Sequence, residues 1–182
     1  MSETWTPERG TRELVARYGR EGAFAHLTRL LAGEVPPAHF TTEPTRTVLR
    51  LIGRTEPQTF LAPDREMNYY WPRSWAARAL AYLGDEDATP WLLTALHDPH
   101  WRVRMTAAQT LGRLGIPGIE DELAGALIDP HQRVRAAAAT ALGRTGNEFA
   151  IEPLQRALED QAETVRTQAD RALAQVERRI AE

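Results

Sequence analysis

Three histidines and the acids beside them are the first candidates for chemistry. His97 and His100 stand three residues apart, and His131 repeats His100 one unit further on. Two imidazoles with a carboxylate form a plausible zinc-ligand set, and Asp98 and Asp129 lie close by in sequence. All three histidines flank an Asp-Pro turn, however, where an imidazole is expected to cap a helix or face water. No metal is therefore expected. The chain has no cysteine, which excludes disulfides, thiolate zinc sites and a cysteine nucleophile. It contains no Gly-x-Ser-x-Gly elbow, P-loop or dinucleotide fingerprint. The expectation is a protein without catalytic residues or cofactor.

The other conspicuous residues are arginine and aromatics. All 22 basic residues are arginine. Biased coding in a GC-rich genome gives that pattern, and so does selection for always-charged, bidentate donors at an interface. The net charge of −3 weakens a general nucleic-acid case, because non-specific affinity for DNA comes from excess positive charge. No apolar run approaches the roughly 18 residues that span a bilayer. The polar start MSETWTPERG does not read as a secretory signal, so a soluble cytoplasmic protein is expected.

The elements that position these residues follow from an internal repeat. Arg102 to Gly115, RVRMTAAQTLGRLG, matches Arg133 to Gly146, RVRAAAATALGRTG, at nine of fourteen positions with an offset of 31. Four columns extend the offset: Leu80, Leu111, Leu142 and Leu173; Ala76, Ala107, Ala138 and Ala169; Arg73, Arg104, Arg135 and Arg166; and Val103, Val134 and Val165, with Pro72 in the first copy. Each unit reads as two helices. Val103, Ala107, Leu111 and Leu114 mark one face of the second, and Gly115 and Gly146 are expected to end it as left-handed residues. The first helix carries Leu92 and Leu96, repeated as Leu123 and Leu127 and as Leu154 and Leu158. The turn between them is Asp98-Pro99-His100, then Asp129-Pro130-His131, then a degenerate Asp160-Gln161-Ala162. Proline stops the first helix there, and the aspartate can cap the second. A small Ala column lets one hairpin approach the next, and only a stack buries such a face.

The motifs DPHWRVRMTAAQTLG and DPHQRVRAAAATALG resemble HEAT repeats, specifically the short bacterial kind also found in phycobilisome lyases. The resemblance covers about residues 71 to 178. It implies an all-α, right-handed α-solenoid of stacked helical hairpins with a 31-residue period. It also implies a hydrogen-bonded ladder between neighbouring turns, which assigns Asp98, Asp129 and Asp160 with Arg104, Arg135 and Arg166 to structure. The expected organisation is an N-terminal helical cap over 1–54, an irregular or partly helical connection over 55–70 with a short helix near Phe60, and repeats over 71–182. In the cap, helices are expected from Thr6-Pro7-Glu8 to about Tyr18, from Gly22 to Leu31, and from Pro44 to Ile52.

In solenoids of this kind the second helices line the concave face. By that analogy the exposed columns are Trp71, Arg102, Arg133 and Thr164; Trp75, Thr106, Ala137 and Gln168; Arg78, Gln109, Thr140 and Arg171; and Tyr82, Arg113, Arg144 and Gln175. Trp71, Trp75, Arg78, Tyr82, Arg102, Gln109, Arg113, Arg133 and Arg144 are the candidate binding residues, with Trp101, Tyr69 and Tyr70 close in sequence or repeat phase. Trp, Tyr and Arg are the types enriched at interface hot spots. Trp71 and Trp75 could equally seal the junction with the cap. The expected role is a non-enzymatic scaffold or adaptor for another protein or acidic peptide segment. The alternatives are a nucleic-acid binder, by analogy with HEAT-like alkylpurine DNA glycosylases, and an accessory subunit of a lyase or modifying enzyme. The His-Glu pairs of HEAT-like deoxyhypusine hydroxylases do not occur. The oligomeric state is left open by the sequence.

Overall fold

A computed structural model describes residues 4–59 and 69–182. Among them are nine α-helices and no strand. The expected short helix near Phe60 lies outside the described residues. The chain forms two compact units, Met1–Trp91 and Leu92–Glu182.

The first unit is built on α1 (Pro7–Leu31), α2 (Thr45–Gly53) and α3 (Tyr70–Leu83), with α1 packed on both others. Thr6 caps α1 by accepting from the Arg9 amide, and Pro7 sits in its first turn, where a missing N–H does no harm. The two cap helices expected on either side of residues 19–21 are one element, broken at Gly19 with φ 73° and ψ 169°. A side chain there would be strained. Leu14, Leu27, Leu49, Ile52 and Leu80 are fully buried between the three helices.

The second unit takes in the repeat hairpins: α4 (Thr89–Ala95, whose first residues belong to the first unit) with α5 (Trp101–Leu114), α6 (Glu120–Ala126) with α7 (Gln132–Thr145), and α8 (Ile151–Ala157) with α9 (Glu163–Ala181). The long helices stack, α5 on α7 and α7 on α9. Leu92, Val103, Ala107, Leu111, Leu123, Val134, Ala138, Leu142, Leu154, Val165 and Ala169 are wholly buried between them, so the repeat columns are the core. The closest approach is made by a column beside the leucines. A Cβ on Gly112 would stand 2.7 Å from that of Ala141, and one on Gly143 would stand 2.9 Å from that of Ala172. These glycines and alanines set the spacing of the layers.

Two local expectations are corrected. Gly115 is left-handed at φ 73°, but Gly146 is extended at φ −65° and ψ 152°. Arg179 of α9 donates to the carbonyls of Gly143, Arg144 and Gly146, satisfying with a cation the carbonyls at the end of α7. The second correction concerns the turns. The imidazoles cap the following helices: His100 Nδ1 accepts from the Arg102 amide and His131 Nδ1 from the Arg133 amide, each at 3.2 Å. The aspartates act one step earlier, accepting from the amides of His100, His131 and Ala162 at 2.7–2.8 Å.

Candidate functional site

Within the second unit the arginines of α5 and α7 divide by position. Arg104 makes a bidentate pair with Asp129, at 2.6 and 2.9 Å, and reaches back to its own turn carbonyls, Asp98 and Pro99. Arg135 repeats this with Asp160, at 2.6 and 2.8 Å, and with the carbonyls of Asp129 and Pro130. Arg166 holds the carbonyls of Asp160 and Gln161. Each rung ties one turn to the next. Burial pushes the Asp129 carboxyl up, but the Arg104 hydrogen bonds and the His131 amide more than offset this and hold it below the usual range. Arg135 holds Asp160 low in the same way.

Arg102 and Arg133 lie two residues before these rungs, and on a helix i and i+2 face different ways. Both find the Trp101 ring. His131 stacks on Trp101 at 3.9 Å and 5°. The Arg102 Cζ is 4.4 Å from the Trp101 centroid and the Arg133 Cζ 5.5 Å. Arg133 also lines a groove of about 490 Å³ along the exposed faces of α5, α7 and α9, with Met105, Gln109, Gln132, Ala136, Ala137, Thr140, Thr164 and Gln168. Among the described residues lining it none is acidic. Amides, hydroxyls and one guanidinium surround a floor of Met and Ala.

Of the residues singled out in the sequence, Gln109 and Arg133 line this groove and Arg102 stands at the Trp101 ring beside it. Arg113 and Arg144 are exposed outside it. Thr106, placed in an exposed column by its repeat phase, is buried at 7% and donates to the Arg102 carbonyl. The first unit holds the others. Trp71 and Trp75 stack at 5.7 Å, and Trp75 lies flat against Gly53, where a Cβ would stand 2.4 Å from the indole. Arg78 is half-buried and donates to the Ile52 carbonyl at 3.2 Å near the end of α2. Loss of solvent lowers its pKa. Trp75 and Arg78 thus fasten α3 to α2. The half-buried Tyr82 follows on the same helix.

Sequence reasoning missed Met105, Ala136 and Gln132 as lining and His131 as the partner of Trp101. The offset did carry a signal: Tyr70, Trp101, Gln132 and Glu163 form one column, the one that opens each second helix. Among the described residues no group of three His, Asp or Glu is placed to hold a metal.

A family model described as HEAT repeats matches residues 68–122 and 119–178. No curated protein matches the chain. Among solved structures the chain is similar to an engineered protein determined as a Northeast Structural Genomics Consortium target. The identity is 16% and the TM-score 0.54, over 94% of this chain and 96% of that one. At that identity the likeness speaks to fold alone.

Proposed function

The chain belongs to the HEAT-repeat family, and on that footing we propose that it is a non-enzymatic scaffold or adaptor that takes an acidic segment of another protein on the exposed face of α5, α7 and α9. The observation that carries this reading is the groove itself. It is lined by Arg133 and by neutral amides and hydroxyls, with no acid among its described lining residues. A positive, hydrogen-bonding surface over an apolar floor complements a negatively charged, partly apolar segment. Arg104 and Arg135 have no such role, since their charges are matched by Asp129 and Asp160.

A nucleic-acid ligand has less support. Single strands are gripped by stacking bases on aromatic rings, and His131 already covers one face of Trp101. The net charge is negative as well.

Affinity capture followed by mass spectrometry tests the reading. A protein partner is expected with the wild type and with Arg156→Glu, a substitution on α8 at an exposed position. It is expected to be lost with Arg102→Glu/Arg133→Glu. Equal capture by all three proteins would rule the face out.

A further inference from the structure

The first helices of the hairpins carry a second groove, of opposite charge to the one along α5, α7 and α9. It encloses about 760 Å³ beside α6 and the turns that follow α4 and α6. The buried Leu96 and Ala126 and the exposed Pro99 and Pro130 give it an apolar lining. Ile128, also in the lining, is 85% exposed, more than any other large apolar residue described. The guanidinium there, Arg104, is matched by Asp129, and Asp98 has further partners within the chain. That leaves the exposed Asp121 and Glu122, neither of which forms an ion pair with a described residue.

The repeat offset shows what this layer lacks. At an offset of 31, Asp121 corresponds to Glu152, Gly125 to Arg156 and Ile128 to Glu159. On α8, Arg156 donates to Glu152 one turn away, so that layer supplies its own cation. On α6 the acid remains and glycine stands in the cation's place, where a Cβ would meet nothing within 4 Å. Acids in the first turn of α6 complement its dipole. That does not account for a glycine within the helix, which weakens it, or for an isoleucine left in water. We propose that this groove takes an arginine or lysine side chain from a basic, partly apolar segment of another protein. The cation stands beside Asp121, as Arg156 stands beside Glu152, and its apolar neighbours lie against Leu96 and Ile128.

Charge and apolar contact divide the work. An exposed ion pair contributes little by itself, and burial of apolar surface contributes more. Arginine and lysine serve both ends, since their methylene stems lie along apolar surface while the charged head stays at the rim. Fixed carboxylates repel the phosphates of nucleic acid and of anionic lipid, which leaves a peptide as the cation's carrier. This site goes beyond the acidic partner proposed above: one repeat stack would hold two segments of opposite charge, one on each groove.

The test uses the full chain with the fluorescein-labelled peptides ALRLRA and ALQLQA, read by fluorescence anisotropy. ALRLRA should bind about tenfold more tightly than ALQLQA, and Asp121→Asn/Glu122→Gln should erase that difference. Gly125→Arg gives α6 the ion pair of α8 and should weaken ALRLRA binding about tenfold. Gly125→Ala, which only strengthens the helix, should bind it as the wild type does. Ile128→Ser should weaken both peptides about fivefold. Equal binding of the two peptides by the wild type, or wild-type affinity of Gly125→Arg for ALRLRA, would overturn the proposal. So would a dimer in analytical ultracentrifugation that Ile128→Ser dissociates, since a second copy of the chain would then cover the groove.

Discussion

Arg102 and Arg104 stand two residues apart on α5, as Arg133 and Arg135 do on α7, and each pair is divided between two surfaces. The second member points to the turns, where a carboxylate from the next repeat meets it in two hydrogen bonds and its side chain is 14–16% exposed. The first member points to the long-helix face, where it meets the Trp101 ring. The residue type is the same, and its surroundings decide its use. An arginine whose donors are matched inside the fold holds repeats together. On the function proposed above, Arg133, beside a groove with no acid among its described lining residues, is the arginine that meets a partner.

The sharpest way to break that contrast is to remove a rung. Asp129→Asn takes from the half-buried Arg104 guanidinium the carboxylate that it grips with two hydrogen bonds, leaving only the more distant charge of Asp98, and should lower stability by about 3 kcal/mol in urea unfolding at neutral pH. Gly143→Val acts on the layer spacing, because even a Cβ would press on Ala172. The expected loss is about 2 kcal/mol, read the same way. A smaller effect should follow pH. Loss of solvent, then the neighbouring Arg133, lowers the His131 pKa below 6.5, with Arg104 and Arg102 adding to this and Asp129 opposing it. As pH falls the unfolded chain therefore takes the proton first. The stability supplied by the neutral imidazole cap is complete above pH 6.5 and is lost as pH drops through the lower folded value. His131→Asn keeps a capping oxygen that does not titrate. It should flatten the decline between neutral and mildly acid pH, while His131→Ala should lose about 1 kcal/mol at neutral pH. The smallest effect belongs to Arg102→Gln and Arg133→Gln, each within about 0.5 kcal/mol of wild type, although both should weaken partner binding.

The parts legible in the sequence were those the repeat makes redundant. Leucine, valine and alanine columns could be compared across copies, so the core followed from alignment, while the ladder followed from the resemblance to HEAT repeats. The proline, glycine and capping signals marked the ends of α1, α2 and α5. The turn to α7's end was harder, because Gly146 answers to Arg179, thirty-three residues away, and no local rule includes that partner. The site was legible only in part for a similar reason. Repeat phase names a column but does not weigh its burial, so Thr106 was grouped with exposed residues and Met105 and Ala136 were left out. The Trp101–His131 stack joins two different columns of neighbouring repeats, and reading within columns does not pair them. Trp75 and Arg78 were drawn to the same face by phase, yet Gly53 and the Ile52 carbonyl take them into the packing of α3 on α2.

One paired measurement bears most directly on the division of labour between the arginines. Arg133→Gln and Arg135→Gln differ by two positions on one helix and remove the same charge. Thermal unfolding and partner capture, followed on both proteins and normalised to folded material, should separate them. Arg133→Gln should melt with the wild type and lose its partner, and Arg135→Gln should melt several degrees lower, as the loss of a partly buried, bidentate pair implies, and keep it. If Arg133→Gln holds its partner as firmly as the wild type, or the two proteins lose stability alike, the account is contradicted.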